Sequence, residues 1–174
     1  MTIKRILTEP DPFLRQKSKV VEKVDDEIRR LMDDMLDTMY SAQGIGLAAI
    51  QIGIPKRIIV IDLLKEKEKK NPLYFINPEI IWSSKEDATY EEGCLSVPGQ
   101  FAEIDRPDKC HIKYLDYNGI KKELKAEGLL ATCIQHEIDH LEGILFIDYL
   151  SKLKKSLITK KLSKQKKELE RIVV

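Results

Sequence analysis

Gln135-His136-Glu137-Ile138-Asp139-His140 is the stretch around which the rest of the chain is organised. A helix turns about 100° per residue, so residues four apart lie nearly in line, one turn apart on one face. His136 and His140 therefore direct two imidazoles at one point, and Glu137 leans towards the same point without joining the aligned pair. Two neutral nitrogen ligands plus a carboxylate that handles protons on a metal's water is the mechanical content of H-E-x-x-H. A surface helix that happens to carry two histidines is the bland alternative. The chain has only three histidines, and two are used here.

Working outward, 174 residues are enough for one domain with a real core, and residues 1–174 are read as one. Apolar residues make up 43% and charged residues 34%, the composition of an ordinary globular protein. A net charge of +1 gives the whole molecule no evident pull towards nucleic acid or membrane. No signal peptide is visible in Met-Thr-Ile-Lys-Arg, and no apolar run approaches the roughly 18 residues of a membrane span. Three cysteines are too few for a disulfide framework, so reducing cytoplasm is the expected compartment.

Pro10 and Pro12 make the N-terminal segment irregular. Asp25 or Asp26 caps a helix whose stripe is Ile28, Leu31, Met32, Met35, Leu36 and Met39, and which should stop near Gly44. In Gly44-Ile45-Gly46-Leu47-Ala48-Ala49-Ile50-Gln51 the polar Gln51 interrupts an apolar run. It is either a structural clamp or a group that meets substrate. Arg57 to Leu63 is a β-branched strand, Lys65 to Lys70 a charge run expected in a solvated loop, and Tyr74 to Ile81 a strand bent at Asn77-Pro78. Glu91 to Gly99 mixes turn residues with Cys94. Lys109 to Asp116 and Ile120 to Lys125 are strands joined around Asn118-Gly119. Gly128 to Leu141 is the H-E-x-x-H helix, with Gly143 as its stop, and Asp148 or Ser151 opens a last helix. The fold class is α+β: largely antiparallel sheets wrapped around a central H-E-x-x-H helix, with an N-terminal and a C-terminal helix.

A catalytic metal needs a third protein ligand and an open position. Familiar H-E-x-x-H peptidases supply it downstream, either as a histidine where this chain has Phe146 or as a glutamate on a following helix. That helix is basic here, with Glu168 and Glu170 far out. The third ligand is therefore sought upstream, among Cys94, Cys110, His111 and Cys133. Cys133 lies about 10 Å of axial rise from His140 and scarcely reaches the same metal. Cys110 and His111 sit inside an alternating strand. Cys94, in a glycine-containing turn, is preferred, and its thiolate suits a borderline metal.

Three segments in order, Gly44 to Gln51, Glu92-Gly93-Cys94-Leu95-Ser96 and Gln135 to His140, resemble the signature motifs of peptide deformylases. Pro10-Asp11 with Leu14-Arg15, and Leu129-Leu130-Ala131, extend the resemblance to nearly the whole chain. Ile50 stands where many members carry proline, and Phe101 where many carry arginine. The resemblance implies hydrolysis of the N-formyl group from N-formyl-methionyl peptides and nascent chains. It implies metal ligands Cys94, His136 and His140, with Fe2+ the expected ion and Zn2+, Ni2+ or Co2+ able to substitute. Glu137 is the expected proton carrier, and Gln51 with the Leu95 backbone N–H the expected oxyanion donors. Ile45, Leu129 and Cys133 are expected to line the methionine pocket, with Glu92 and Gly93 near its mouth. Gly46 would let the peptide backbone come close. A metallopeptidase and an inactive metal-binding, ribosome-associated protein are the rivals.

Residues 151–174 form a basic C-terminal helix with nine Lys or Arg and two acids, +7 in a molecule of +1. Leu153, Leu157, Ile158, Lys161 and Leu162 suggest an apolar stripe with a cationic back. Either the helix simply packs on the core, or it docks on RNA-rich surface, which the resemblance specifies as the ribosome. No membrane partner is expected, and the expected state is a monomer.

Overall fold

The computed structural model describes residues 2–63 and 69–173. Most of the charge run at 65–70, expected as a solvated loop, lies outside the described residues.

Helix α1 spans Asp26–Ser41. The Asp25 side chain accepts a hydrogen bond from the Ile28 N–H at 3.0 Å, the capping that the sequence led us to expect. Met32, Met35 and Met39 are fully buried, so the methionine stripe is core. The helix ends a little before Gly44. Gln43 takes a left-handed conformation (φ 58°), and the Gly44 N–H closes on the Met39 carbonyl at 3.0 Å.

Five strands make the main sheet: β1 (Gly46–Ala48), β2 (Ile58–Ile61), β3 (Leu73–Ser83), β6 (Lys109–Leu115) and β7 (Lys121–Glu127), in the order β1-β2-β3-β6-β7 and antiparallel throughout. All four residues of β2 are buried, because both of its faces are covered. Ile59 and Ile61 face the cluster that contains the H-E-x-x-H helix, and Ile58 and Val60 face α1. That explains the unbroken β-branched run, which replaces the alternation of a half-exposed strand. The bend expected in β3 is a register shift between Ile76 and Glu79. Asn77 there has φ 52° and exchanges two 2.9 Å hydrogen bonds with the Val21 backbone. The β6–β7 hairpin turns through Gly119 (φ 80°), with the Asp116 carboxylate accepting from the N–H groups of Asn118 and Ile120.

Two further strands, β4 (Asp87–Cys94) and β5 (Val97–Pro107), form a separate antiparallel ribbon. Sequence reading expected irregular turn residues through Glu91 to Gly99. Only Leu95 and Ser96 turn; the rest is strand. Much of this ribbon is exposed, so no run of apolar residues announces it.

Helix α2 is Gly128–Leu141, as expected, and packs against strands of both sheets. A last helix, α3, runs Lys152–Val173 behind Ser151, whose Oγ accepts from the Lys154 N–H at 3.3 Å. Asp148 instead sits in the 3-10 turn Phe146–Tyr149. The expected stripe on α3 divides. Ile158 and Leu162 pack on Val97, Ile104 and Phe146, whereas Leu153 and Leu157 are 70% and 59% exposed. Spacing alone could not show that the core covers only one of the two faces.

Candidate metal centre

Helix α2 ends in a Schellman motif. The Gly143 N–H bonds the His140 carbonyl at 3.1 Å, and the Ile144 N–H bonds that of Asp139 at 2.9 Å, with Gly143 at φ 76°. Ala131, Ile134 and Leu141 anchor the helix in the core. Its opposite side presents His136 and His140, both buried, with ring centroids 5.1 Å apart.

Cys94 closes β4 just before the two-residue turn. Its Sγ lies 3.3 Å from His140 Nε2, and one ligand atom from each of Cys94, His136 and His140 falls within 4.8 Å of the others. Tetrahedral coordination at ordinary Zn–N and Zn–S lengths separates ligand atoms by about 3.3–3.6 Å, so small adjustments suffice. Among the described residues this is the one cluster of metal-ligating type. The other candidates lie elsewhere. Cys110 is core, His111 lies tilted against Trp82 with ring centroids 4.5 Å apart, and Cys133 forms pocket wall. Phe146, at the position a third histidine would take, stacks on His136 at 6.2 Å.

His136 Nδ1 lies 2.9 Å from Glu92 Oε1, which leaves Nε2 for an ion. Glu92 is in turn gripped by Arg106 at 2.7 and 3.0 Å, and Arg106 reaches Asp139 at 2.8 Å. Burial opposes ionisation of Glu92, yet hydrogen bonds from His136 and Arg106 hold it below the usual carboxylate value. Burial likewise opposes charge on His136, but the facing Cys94 and Glu92 outweigh it and lift the ring well above an ordinary imidazole. The pocket at His136 thus favours positive charge. Burial, with His136 beside it, holds His140 well below the ordinary value, and an ion at the site would take the place of the proton that Cys94 and Glu92 favour on His136. One sulfur and two imidazoles in a cation-favouring site fit a divalent metal.

Glu137 is 5% exposed, and burial lifts its carboxyl to about 7. Its Oε2 has no hydrogen-bond partner among the described residues, and its Oε1 lies 2.6 Å from where a Cβ on Gly46 would stand. Gly46 therefore makes room for the carboxylate. Gln51 is 1% exposed and held at both ends: its Oε1 accepts from the Ala48 N–H at 2.9 Å, and its Nε2 donates to Ser96 Oγ at 3.0 Å and towards Cys94 Sγ at 3.6 Å. The clamp is real, and it fixes the amide at the site.

A pocket of about 480 Å³ opens on these groups. Ile45, Gly46, Glu92, Gly93, Leu129 and Cys133 all line it, together with Gln51, Cys94, Leu95, His136 and Glu137. Glu92 does so with its carboxylate already committed to His136 and Arg106. Ile45 and Leu129 are each 44% exposed at the opening, and Phe101 is 65% exposed with its ring over Gly93. Ile50 is wholly buried. Sequence reasoning missed Arg106 and Thr132, a further lining residue. Neither stands in a recognisable motif, and Arg106 lies in a polar strand where a charge raises no question.

A family model described as polypeptide deformylase matches residues 3–156. The peptide deformylase of Pelagibacter ubique is 69% identical over 176 residues, with the whole of both chains covered. That of Phenylobacterium zucineum is 60% identical over 96% of this chain and 99% of its own. Among solved structures, peptide deformylase from Ehrlichia chaffeensis in complex with actinonin superposes with a TM-score of 0.91 at 48% identity, covering 95% of this chain and 98% of that one. A peptide deformylase from Legionella pneumophila gives 0.89 at 46% identity, covering 98% and 99%. With motifs, fold and relatives in agreement, the chain belongs to the polypeptide deformylase family.

Proposed function

We propose that this chain hydrolyses the N-formyl group from the terminal formyl-methionine of newly made polypeptides, releasing formate. The observation that carries the reading is the convergence of Cys94, His136 and His140 beside the buried Glu137, at the base of an apolar-walled pocket. A divalent ion, when bound, supplies a Lewis acid and lowers the pKa of its water.

The protein's own groups do the rest. Glu137, with a carboxyl near neutrality, takes a proton at its carboxylate and returns it to the leaving amine. Gln51 Nε2 and the Leu95 backbone N–H donate to the charge that builds on the formyl oxygen. The Gln51 contact to Cys94 sulfur, at 3.6 Å, is the one a formyl oxygen replaces, because the Ser96 bond at 3.0 Å is shorter. The methionine side chain enters among Ile45, Leu129 and Cys133. Ferrous iron is the ion proposed: the sulfur-and-imidazole set accepts Fe2+, Zn2+, Ni2+ and Co2+, and the family resemblance selects iron. Residues 1–174 act as one deformylase domain, an assignment supported by β2, which is covered by the α2 cluster on one face and the α1 cluster on the other. No helix among the described residues is long and apolar enough to cross a membrane. Three free cysteines support a reducing, cytoplasmic setting.

Formate release from a formyl-Met peptide by anaerobically purified protein tests the reading. Glu137→Ala should abolish turnover while metal stays bound; surviving activity refutes the mechanism, and cleavage of internal peptide bonds favours a peptidase.

Helix α3 is proposed to dock on the ribosome. Its charge of +7 and its exposed Leu153 and Leu157 support this. Ribosome pelleting with and without residues after Leu150, across a salt series, checks it. Equal and salt-insensitive recovery removes the proposal.

A further inference from the structure

Thr132 stands one turn before His136 on α2 and lines the pocket beside Leu129 and Cys133. It is 3% exposed, and its Oγ1 has no hydrogen-bond partner among the described residues. A helical threonine ordinarily satisfies its hydroxyl on a carbonyl three or four residues back. Here those carbonyls belong to Leu129 and Gly128, and Thr132 uses neither. A buried hydroxyl left unmatched is destabilising, whereas valine has nearly the same shape and no polar atom to satisfy. The hydroxyl is therefore out of place in a wall meant only for hydrocarbon. Of the residues that line the same pocket, Ile45 and Leu129 are apolar, and the polar Glu92 and Gln51 are hydrogen-bonded to other groups.

From this we infer that Thr132 is a specificity-determining residue whose hydroxyl donates a hydrogen bond to the thioether sulfur of the substrate's first side chain. A thioether sulfur is a weak acceptor, and it is the one polar atom of methionine beyond the backbone. Rotation about χ1 exchanges the threonine methyl and hydroxyl within one envelope, so the donor reaches the pocket without repacking of α2. Norleucine has methionine's length but carries a methylene in place of sulfur. It fills the pocket and leaves the hydroxyl unmatched. A site that pairs with one polar atom of its ligand discriminates against the analogue that lacks it. The inference rests on the deformylase reading and deepens it: Thr132 makes the pocket read sulfur as well as apolar length.

The test compares kcat/KM for formyl-Met and formyl-norleucine peptides that are otherwise identical, using metal-loaded wild type, Thr132→Val and Thr132→Ser. The methionine-to-norleucine ratio of the wild type should exceed that of Thr132→Val by about two- to tenfold, the range of one modest hydrogen bond. Thr132→Ser, which keeps the hydroxyl, should retain the wild-type ratio. Without ligand, Thr132→Val should melt no lower than wild type, since it removes only an unmatched group. Formate release with one ratio across all three proteins overturns the role of Thr132 alone. No formate from wild type on either peptide overturns the deformylase reading beneath it.

Discussion

Replacing Gly46 by alanine separates two roles that this glycine can play. The three atoms nearest to the added Cβ all belong to Glu137: Oε1 at 2.6 Å, Cδ at 3.1 Å and Cγ at 3.2 Å. Ordinary contact begins at 3.4 Å, so the carboxylate must retreat by about 0.8 Å. No hydrogen bond from the described residues ties its Oε2 down, and the crowded group is the end of a flexible side chain, so stability should change little. Catalysis should change much. A misplacement of about 1 Å costs on the order of 100-fold, roughly 2.7 kcal/mol on the barrier. The ligand atoms are not among those crowded, so metal content should hold. Steady-state kinetics on a formyl-Met peptide should show kcat down about 100-fold with KM nearly unchanged. If Gly46 serves instead to admit the peptide backbone, KM rises and kcat holds. A Gly46→Ala enzyme with full metal and kcat within about threefold of wild type would refute the placement of Glu137 as proton carrier.

Gly143→Ala should cost more than Gly53→Ala in urea unfolding. Both sites have positive φ, worth about 1–2 kcal/mol each, but a Cβ at 143 meets the Arg15 backbone whereas one at 53 meets nothing, so about 2–4 kcal/mol is expected at 143 and equal losses would overturn the contact. Glu92→Gln should weaken metal binding about 10- to 100-fold in chelator competition, because Arg106 and His136 lose their anionic partner; unchanged affinity contradicts that role. Asp148 is opposed by burial, but hydrogen bonds from Lys155 and Arg15 hold it below its usual 3.8, so its stabilisation is present above that value and lost as pH falls through the lower folded value. The stability difference between wild type and Asp148→Asn should therefore shrink below about pH 4, and a difference that grows on acidification refutes the linkage. Metal removal should lower Tm: at a free ion concentration near 1,000 times Kd the linkage is about 4 kcal/mol, or roughly 8–16 °C for a chain of this size, and a Tm indifferent to chelation rules the site out.

The central helix was legible because its residues carry two signals at once, a ligand spacing and a glycine stop. Residues Gly128–Leu141 match the expected bounds, and Gly143 stops the helix in the expected way. Strand β2 was legible for the same kind of reason, since burial on both faces demands β-branched residues throughout. The β4–β5 ribbon was not. Its residues alternate between exposed and half-buried, and its sequence mixes charges and glycine without a clean period. Cys94 could be chosen on its turn-like surroundings, although those surroundings are the tip of a hairpin. Arg106 was invisible because its partners, Glu92 and Asp139, lie 14 and 33 residues away. Pairing across such distances is written in three dimensions and leaves no local pattern. On α3, the spacing showed apolar residues but not which of them the core would cover.

Arg106 also explains how so much negative charge gathers at one centre. Glu92 bonds His136, Glu137 and Asp139 stand beside the two histidines on α2, and among the described residues Arg106 is the one arginine or lysine paired with Glu92 and Asp139. Burying like charges together is costly unless each finds a partner or gives up its charge. Each group meets that demand differently. Arg106 bridges Glu92 and Asp139, and its bonds, with that from His136, hold Glu92 below the usual carboxylate value against burial. Burial lifts Glu137 to about 7, so it surrenders its charge readily and takes it up again just as easily. Cys94 Sγ faces the two imidazoles where a dication fits. The arginine thus sets the division of labour. By satisfying Glu92 it frees that carboxylate to orient His136, and by not bonding Cys94 or Glu137 it leaves the sulfur for the proposed metal and the carboxyl for the proposed proton transfer.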